Sequence, residues 1–175
     1  IDNCLNASNE KVIQVTNSSR GNGLSYAWSV SPNTGFTIDS INGVTPTFTF
    51  TTAGNYTIRL RASNSCDSSV ITRSISIFNK PTLTINNSNT SICAGSSINP
   101  TITENQGNSL IISRLWSVTP SGGGVTITSP NTANPGLITF LTARTCTLTY
   151  SATNLCGTVT STQIITVNPI PLVTI

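Results

Sequence analysis

The sequence predicts an all-β chain of two tandem β-sandwich domains, and three observations carry that prediction. Ser, Thr and Asn together outnumber the hydrophobic residues, which make up 37% of the chain. Thr favours strands, whereas Asn, Ser, Gly and Pro favour turns. Apolar and polar residues alternate with a period of two in many short segments, which is typical of half-buried strands. The chain also repeats itself, which predicts two copies of one structural unit.

The repeat is defined by landmarks that recur in the same order at spacings of 88 to 90 residues. These landmarks are Cys4 and Cys93, Trp28 and Trp116, Cys66 and Cys156, and the segments 75–77 and 165–167. We therefore predict one domain over residues 1–79 and a second over residues 80–168. Residues 169–175 resemble the segment that begins at Lys80, so we interpret them as a linker and the start of a further repeat. Because the chain also does not begin with Met, we expect it to be a pair of repeats from a longer array.

Each strand of the first repeat is predicted from its own apolar alternation, and Gly and Asn clusters separate one strand from the next. The predicted strands lie at residues 12–15, 24–30, 36–38, 47–51, 56–63 and 70–78. No segment shows a convincing helical period. Six or seven short strands in about 90 residues fit an immunoglobulin-like sandwich. The alternation places Trp28, Trp116, Tyr56 and Tyr150 on the core faces, so we interpret these rings as core rather than as a sugar-binding platform.

The composition argues against catalysis, cofactors, nucleic acid and membrane insertion. Only 7% of the residues are charged, the net charge is +3, and there is no run of Lys or Arg that would attract nucleic acid. No apolar stretch approaches the ~20 residues of a membrane span. The chain contains no His, which removes the Ser-His-Asp and Cys-His systems and the usual catalytic zinc ligands. The few acids are scattered, so we predict no enzyme activity and no metal or cofactor.

Several residues of the first repeat, and the cysteine motifs near the repeat ends, resemble those of a known family. Tyr26 and Trp28, followed by Gly54, Tyr56 and the alternation up to Asn64, resemble the PKD or PKD-like domain. Cys93 with Gly95 near a repeat start, and Asn-x-Cys near a repeat end, are similar to PKD-like repeats of Bacteroidetes surface adhesins. Those adhesins include gliding-motility proteins exported by the type IX system. The sequence departs from orthodox PKD domains, because Ser-Val-Ser-Pro follows Trp28 where an acidic loop is common.

The cysteines predict covalent cross-links. Two cysteines occupy equivalent positions in each repeat, and such a periodic pair in a secreted-type chain favours one disulfide per repeat. We predict the pairs Cys4–Cys66 and Cys93–Cys156. Free buried thiols, or zinc held by four cysteines, are the alternatives. The fifth cysteine, Cys146, falls on the inward face of its strand, so we predict a buried free thiol.

Two exposed features remain as candidate sites. Arg59, Arg61 and Arg73 either form a basic stripe or belong to an ordinary solvated face, and we favour the solvated face. Asp39-Ser40-Ile41 resembles the short O-glycosylation sequence of Bacteroidetes, which implies a glycan on Ser40.

The resemblance and the composition together predict a function outside the cell. We expect a monomeric, disulfide-stapled structural or adhesive segment on the bacterial outer surface, whose partners are neighbouring repeats and a surface polysaccharide or substratum. The alternative is a polysaccharide- or protein-binding module of a secreted protein. A binding module would expose aromatic rings or a polar pocket.

Overall fold

The computed structural model describes residues 3–174, and all regular secondary structure in that range is β-strand. The all-β prediction is confirmed. The chain divides into two compact units, Ile1–Asn79 and Lys80–Ile175, and each unit has a hydrophobic core of its own. Over the described residues there is no helix long and apolar enough to cross a membrane.

Over its described residues, 3–79, the first unit contains six strands in two sheets. The strands are β1 (Lys11–Gln14), β2 (Ser25–Ser31), β3 (Phe36–Ile38), β4 (Thr47–Phe50), β5 (Gly54–Ser63) and β6 (Ser68–Ile77). One sheet has the order β1-β4-β3 and the other the order β2-β5-β6, and neighbours within each sheet are antiparallel. A parallel bridge between Cys4 and Phe78 places the start of the unit beside the end of β6.

The period-two pattern of β5 explains how the first unit builds its core. Tyr56, Ile58 and Leu60 are buried, whereas Arg59 and Arg61 between and after them are exposed. Successive side chains of a strand point to opposite faces, so this alternation fixes which face meets the opposing sheet. The remaining buried members of this core come from several strands and from the start of the unit: Leu5, Trp28, Val30, Phe48, Phe50 and Ile77.

The part of the second unit that the structure describes, residues 80–174, contains nine strands. They are β7 (Thr82–Asn86), β8 (Ser91–Cys93), β9 (Ser97–Ile98), β10 (Thr101–Asn105), β11 (Ser113–Thr119), β12 (Val125–Ile127), β13 (Ile138–Phe140), β14 (Arg144–Asn154) and β15 (Gly157–Asn168). One sheet has the order β12-β13-β9, a second has the order β11-β14-β15-β8, and β7 pairs with β10. Strand β8 runs parallel to the end of β15, as Cys4 does beside Phe78 in the first unit.

Candidate functional site

The four aromatic residues singled out from the sequence lie inside the two cores. Trp28 donates its indole N–H to the carbonyl oxygen of Gly43 at 2.9 Å, and Trp116 donates to the carbonyl oxygen of Thr132 at 3.0 Å. A buried Trp normally satisfies its N–H in this way. The rings are therefore packed and hydrogen-bonded within their units, and their faces are not presented as a flat platform for sugars.

The two core tyrosines are held differently. Tyr56 donates its hydroxyl to the carbonyl oxygen of Thr52 at 2.9 Å, and burial raises the pKa of Tyr56. Tyr150 packs on Trp116 with a centroid separation of 4.7 Å and donates its hydroxyl to Glu104 Oε2 at 2.8 Å. Burial, with the neighbouring Glu104 carboxylate, raises the pKa of Tyr150 well above its usual range.

Glu104 is the centre of a polar cluster in the second unit that the sequence did not reveal. Arg114 donates to both carboxylate oxygens, from Nε at 3.2 Å and from Nη2 at 2.7 Å. Burial alone would raise the pKa of Glu104, but the hydrogen bonds from Arg114 and Tyr150 and the charge of Arg114 outweigh burial and hold that pKa below its ordinary value. The cluster joins β10 to β11 and β14, so its role is to lock three strands together. Its only sequence signal was the single acid of the second repeat.

The structure corrects the predicted disulfide pairs. Cys66 lies in the turn between β5 and β6, while Cys4 lies beside Phe78 at the other end of β6. Strand β6 has ten residues, which separate its ends by about 30 Å at ~3.3 Å per residue. A disulfide requires its two Cα atoms within about 7 Å. Cys4 and Cys66 therefore cannot bond to each other within this fold.

The same reasoning excludes the predicted pair in the second unit. Cys93 lies beside Asn168 at the end of β15, and Cys156 lies in the turn that precedes β15, between Asn154 and Gly157. Twelve residues of strand separate these two positions. The prediction failed because the start of each repeat packs beside the end of its last strand, not beside the hairpin turn that carries the late cysteine.

The five cysteines differ in their chemical state. Cys4 is disulfide-bonded, and so is Cys156. Cys66 and Cys93 are exposed free thiols, whereas Cys146 is a free thiol buried in the core of the second unit. A disulfide in sandwich domains of this type indicates a secreted or cell-surface protein.

Equivalent cysteines of the two units have the same backbone hydrogen bonding or strand pairing, although one of each pair is disulfide-bonded and the other is free. The amide of Cys66 donates to Asn64 Oδ1 at 3.0 Å, and the amide of Cys156 donates to Asn154 Oδ1 at 2.8 Å. Cys4 and Cys93 both lie in parallel pairing with the final strand of their unit. The backbone therefore repeats at these positions although the thiol chemistry does not.

An open groove of about 570 Å³ lies on the first unit. Its floor is formed by Trp28, Ile58 and Leu60, and β6 contributes Ile71 and Arg73 along one side. The opposite side is the segment 14–19, and residues 15–20 form no strand. The groove is therefore an apolar channel with polar margins, open on one side of a single sandwich.

The strand register rules out one basic stripe of the three arginines, the alternative that the sequence did not favour. Arg73 pairs with the inward-facing Ile58 across the β5–β6 ladder, whereas Arg59 and Arg61 are on the outward face of β5. Arg73 therefore does not share a face with the other two, and the three do not form one basic stripe. Arg61 donates to Ser68 Oγ at 3.2 Å across the hairpin.

Ser40 lies in an exposed turn that follows β3. Its carbonyl oxygen accepts a hydrogen bond from the amide of Gly43 at 3.1 Å, which closes the turn. The preceding Asp39 accepts the backbone N–H of Thr47 at 2.9 Å, and this hydrogen bond lowers the pKa of Asp39. The Ser40 hydroxyl is thus on an ordered, accessible turn. Within residues 3–174 no group of three or more His, Cys, Asp or Glu side chains is close enough to hold a metal ion.

Comparison with known proteins agrees with the β-sandwich fold of the two units. Residues 4–76, within the first unit, match the PKD domain family. Comparison with curated protein sequences finds no match. Among solved structures, the eight N-terminal Ig domains of Down Syndrome Cell Adhesion Molecule align with a TM-score of 0.55 at 12% identity, over 96% of this chain and 23% of that one.

Two further solved structures show the same fold. The amphioxus IgVJ-C2 molecule aligns with a TM-score of 0.51 at 14% identity, over 93% of this chain and 99% of that one. Cadherin domains 1–4 of Protocadherin Gamma B7 align with a TM-score of 0.50 at 18% identity, over 83% of this chain and 40% of that one. The chain thus spans well under half of the protocadherin and DSCAM structures. The match over the first unit and these structures show a PKD-like and immunoglobulin-like β-sandwich fold, which this chain shares with the domains of cell-adhesion proteins.

Proposed function

We propose that this chain is a non-catalytic spacer segment of a large extracellular adhesin on the outer surface of a bacterium. The observation that carries the proposal is the succession of two sandwiches of one sequence repeat, each with its own core, in a single chain. The matching domains of cadherins and DSCAM serve as repeated modules in adhesion proteins. The Cys-x-Gly and Asn-x-Cys motifs support an adhesin of the Bacteroidetes gliding-motility type, exported by the type IX system.

The outward faces of the strands suit a segment that stands in water without depending on charge. On β15 the outward positions include Thr158, Thr160, Thr162 and Thr166, all exposed. Hydroxyl groups keep such a face hydrated, and ionic strength has little effect on it because few exposed ion pairs are available to be screened. This chemistry supports a role in which the segment connects and extends rather than binds tightly.

A second function is favoured by one observation, the groove of the first unit. Apolar clefts with a few polar groups at their margins are the usual form of small-ligand sites. A polysaccharide- or protein-binding module would use Ile71 and Arg73 at this position. The second unit has Ser161 and Gln163 at the matching positions, so a binding role would belong to one repeat alone.

Single-molecule pulling distinguishes the two functions when it is combined with binding measurements. A spacer should show two separate unfolding events, one per unit, and no saturable binding to a panel of bacterial surface polysaccharides. The matched variant Ile71→Asp should leave both results unchanged. Saturable polysaccharide binding that Ile71→Asp abolishes and Thr72→Asp preserves would contradict the spacer proposal and establish the binding module.

A further inference from the structure

The sequence contains two Asn-Gly pairs, Asn22-Gly23 and Asn42-Gly43, and each lies between two strands of the first unit with its asparagine exposed. Asn-Gly is the dipeptide in which an asparagine side chain reacts most readily with the backbone nitrogen that follows it, because glycine has no Cβ to block the approach. The two pairs are chemically identical. Any difference in their reactivity therefore comes from the structure around them.

Hydrogen bonds hold the pair at Gly43. The amide of Gly43 donates to the carbonyl oxygen of Ser40 at 3.1 Å, and the carbonyl oxygen of Gly43 accepts the indole N–H of Trp28 at 2.9 Å. A Cβ placed on Gly43 would lie 2.9 Å from the Ser40 side chain, so the turn is closely packed there. The nitrogen that would attack Asn42 is already engaged, and the turn must open locally before the pair can react.

The pair at Gly23 has none of these restraints. Within residues 3–174, neither the amide of Gly23 nor the side chain of Asn22 makes a hydrogen bond. Gly23 has a φ of 65°, a conformation that glycine adopts readily, and a Cβ placed on it would meet no atom within 4 Å. The Gly23 nitrogen can therefore turn toward the Asn22 side chain without breaking a contact.

Exposure at this position is a property of the repeat. Counted back from the equivalent residues Trp28 and Trp116, the counterpart of Asn22 is Leu110. Leu110 is 77% exposed. The position is therefore open in both units, including the unit that has another repeat before it in the sequence.

We propose that Asn22 is a site of spontaneous deamidation, at which the chain acquires a negative charge with time. The Gly23 nitrogen attacks Cγ of Asn22, so that a C–N bond forms and the Cγ–Nδ2 bond breaks. The amide proton of Gly23 leaves with the Nδ2 group as ammonia, and a five-membered succinimide ring remains. Water then opens the ring at one carbonyl or the other, which gives aspartate or isoaspartate at position 22. Water is the only co-reactant, and the inference does not depend on the spacer function.

The isoaspartate product alters the turn that carries Cys66. The carbonyl oxygen of Asn22 accepts a hydrogen bond from Asn64 Nδ2 at 3.3 Å. The Asn64 Oδ1 atom in turn accepts the amides of Cys66 and Asp67 at 3.0 and 3.1 Å. In isoaspartate the main chain runs through the side-chain carbons, so this carbonyl oxygen becomes part of a free carboxylate. A negative charge and an extra backbone atom are then placed beside the side chain that holds the Cys66 turn.

Peptide mapping of the whole chain by mass spectrometry tests the proposal. During incubation at neutral to mildly alkaline pH, we expect Asn22 to be converted about tenfold faster than Asn42 or more, because only Asn42 requires its hydrogen-bonded turn to open first. The two rates should become equal in denaturant, where both dipeptides are unfolded, and this provides the reference. Asn22→Gln, whose longer side chain closes a ring far more slowly, should remove the fast conversion and leave that of Asn42 unchanged.

Two results of the mapping would overturn the proposal. One is conversion of Asn42 in the folded chain as fast as that of Asn22. The other is an Asn22 that stays unconverted in the folded chain while both asparagines react in denaturant.

Amide NMR spectra of the converted chain give an independent readout. The resonances of Cys66 and Asp67 should shift in the isoaspartate form and much less in Asn22→Asp, which adds the charge but keeps the ordinary backbone. If Asn22→Asp shifts them equally, or if the isoaspartate form leaves them in place, the coupling of Asn22 to the Cys66 turn is refuted.

Discussion

Individual cysteines of this chain differ in accessibility in a way that determines their reactivity. Cys66 and Cys93 are exposed, one in a hairpin turn and the other beside a final strand, whereas Cys146 is enclosed by the second core. A thiol must reach solvent as thiolate to react, so burial protects Cys146. Accessibility of the free thiols is therefore a direct test of the fold.

We predict that a maleimide reagent added without reductant labels Cys66 and Cys93 rapidly and labels Cys146 only after denaturation. Peptide mapping by mass spectrometry locates each label. Cys66→Ser and Cys93→Ser should each remove one of the two fast labels, which provides the control. A non-reduced peptide joining Cys4 to Cys66, or fast labelling of Cys146, would contradict the structure.

Ser40 is the second residue with a chemical prediction. The turn that carries it is exposed and is closed by the hydrogen bond between Ser40 and Gly43, so a transferase can reach the hydroxyl. We predict an O-glycan on Ser40 in protein produced in a Bacteroidetes host that carries out this type of O-glycosylation. Intact-mass and peptide analysis should show the glycan in the original chain and not in Ser40→Ala. An unmodified peptide from native protein would refute this site.

At the scale of strands, the cluster of Glu104, Arg114 and Tyr150 makes the second unit sensitive to acid. The pKa of Glu104 is lower in the folded unit than its ordinary value of 4.5. An acid whose pKa is depressed by folding stabilises the fold above its unfolded pKa, and the contribution is lost as pH falls through the folded pKa. The second unit should therefore lose stability below about pH 4.5.

We predict that Glu104→Gln destabilises the second unit at neutral pH and removes most of its loss of stability in acid. Residue-resolved hydrogen exchange between neutral pH and acid can follow β10, β11 and β14 separately from the first unit. Glu10→Gln, at an acid on an exposed position of the first unit, is the matched control. An unchanged acid dependence in Glu104→Gln would show that the cluster does not stabilise these strands.

The strands could be predicted from the sequence because the alternation of apolar and polar residues that marks a strand lies within one short segment. The alternation of Tyr56, Ile58 and Leu60 with polar residues is a property of one segment, and it marked the β5 region correctly. Which strands pair, and which face of the sheet each residue occupies, were harder to predict, because strand pairing joins residues that are distant in the sequence. The register that places Arg73 opposite Ile58, and the parallel bridge between Cys4 and Phe78, follow from such pairing. The error in the disulfide pairs arose there, and the same pairing rules out the basic stripe, which was the interpretation that we did not favour.

The missed polar cluster and the groove have a similar origin. Glu104 is the single acid of its repeat, and only the folded arrangement brings Arg114 and Tyr150 to it. The groove is lined by the segment 14–19 and by residues of β2, β5 and β6, which only the fold brings together.

For the whole molecule, the separate cores predict separate unfolding. Trp28 lies in the core of the first unit, and truncating a core Trp to Ala costs about 3–5 kcal/mol. That is a large share of the 5–15 kcal/mol typical of a domain. We therefore predict that Trp28→Ala unfolds the first unit at much lower denaturant concentration while the second unit remains folded. Amide spectra assigned to each unit measure the two transitions, and Trp116→Ala should give the opposite result.

The parallel pairing at the ends of each unit has a mechanical consequence. In the first unit the amide of Leu5 donates to the carbonyl oxygen of Phe78 at 2.9 Å, and the amide of Phe78 donates to that of Asn3 at 3.0 Å. In the second unit it is β8, the strand that follows β7, that lies alongside β15 in the same sense. When a tether pulls the start and the end of such a unit apart, parallel strands slide lengthwise, and their hydrogen bonds are strained in shear at the same time. Antiparallel end strands would peel open one bond after another, so the direction of two short strands sets how much force a repeat withstands before it yields.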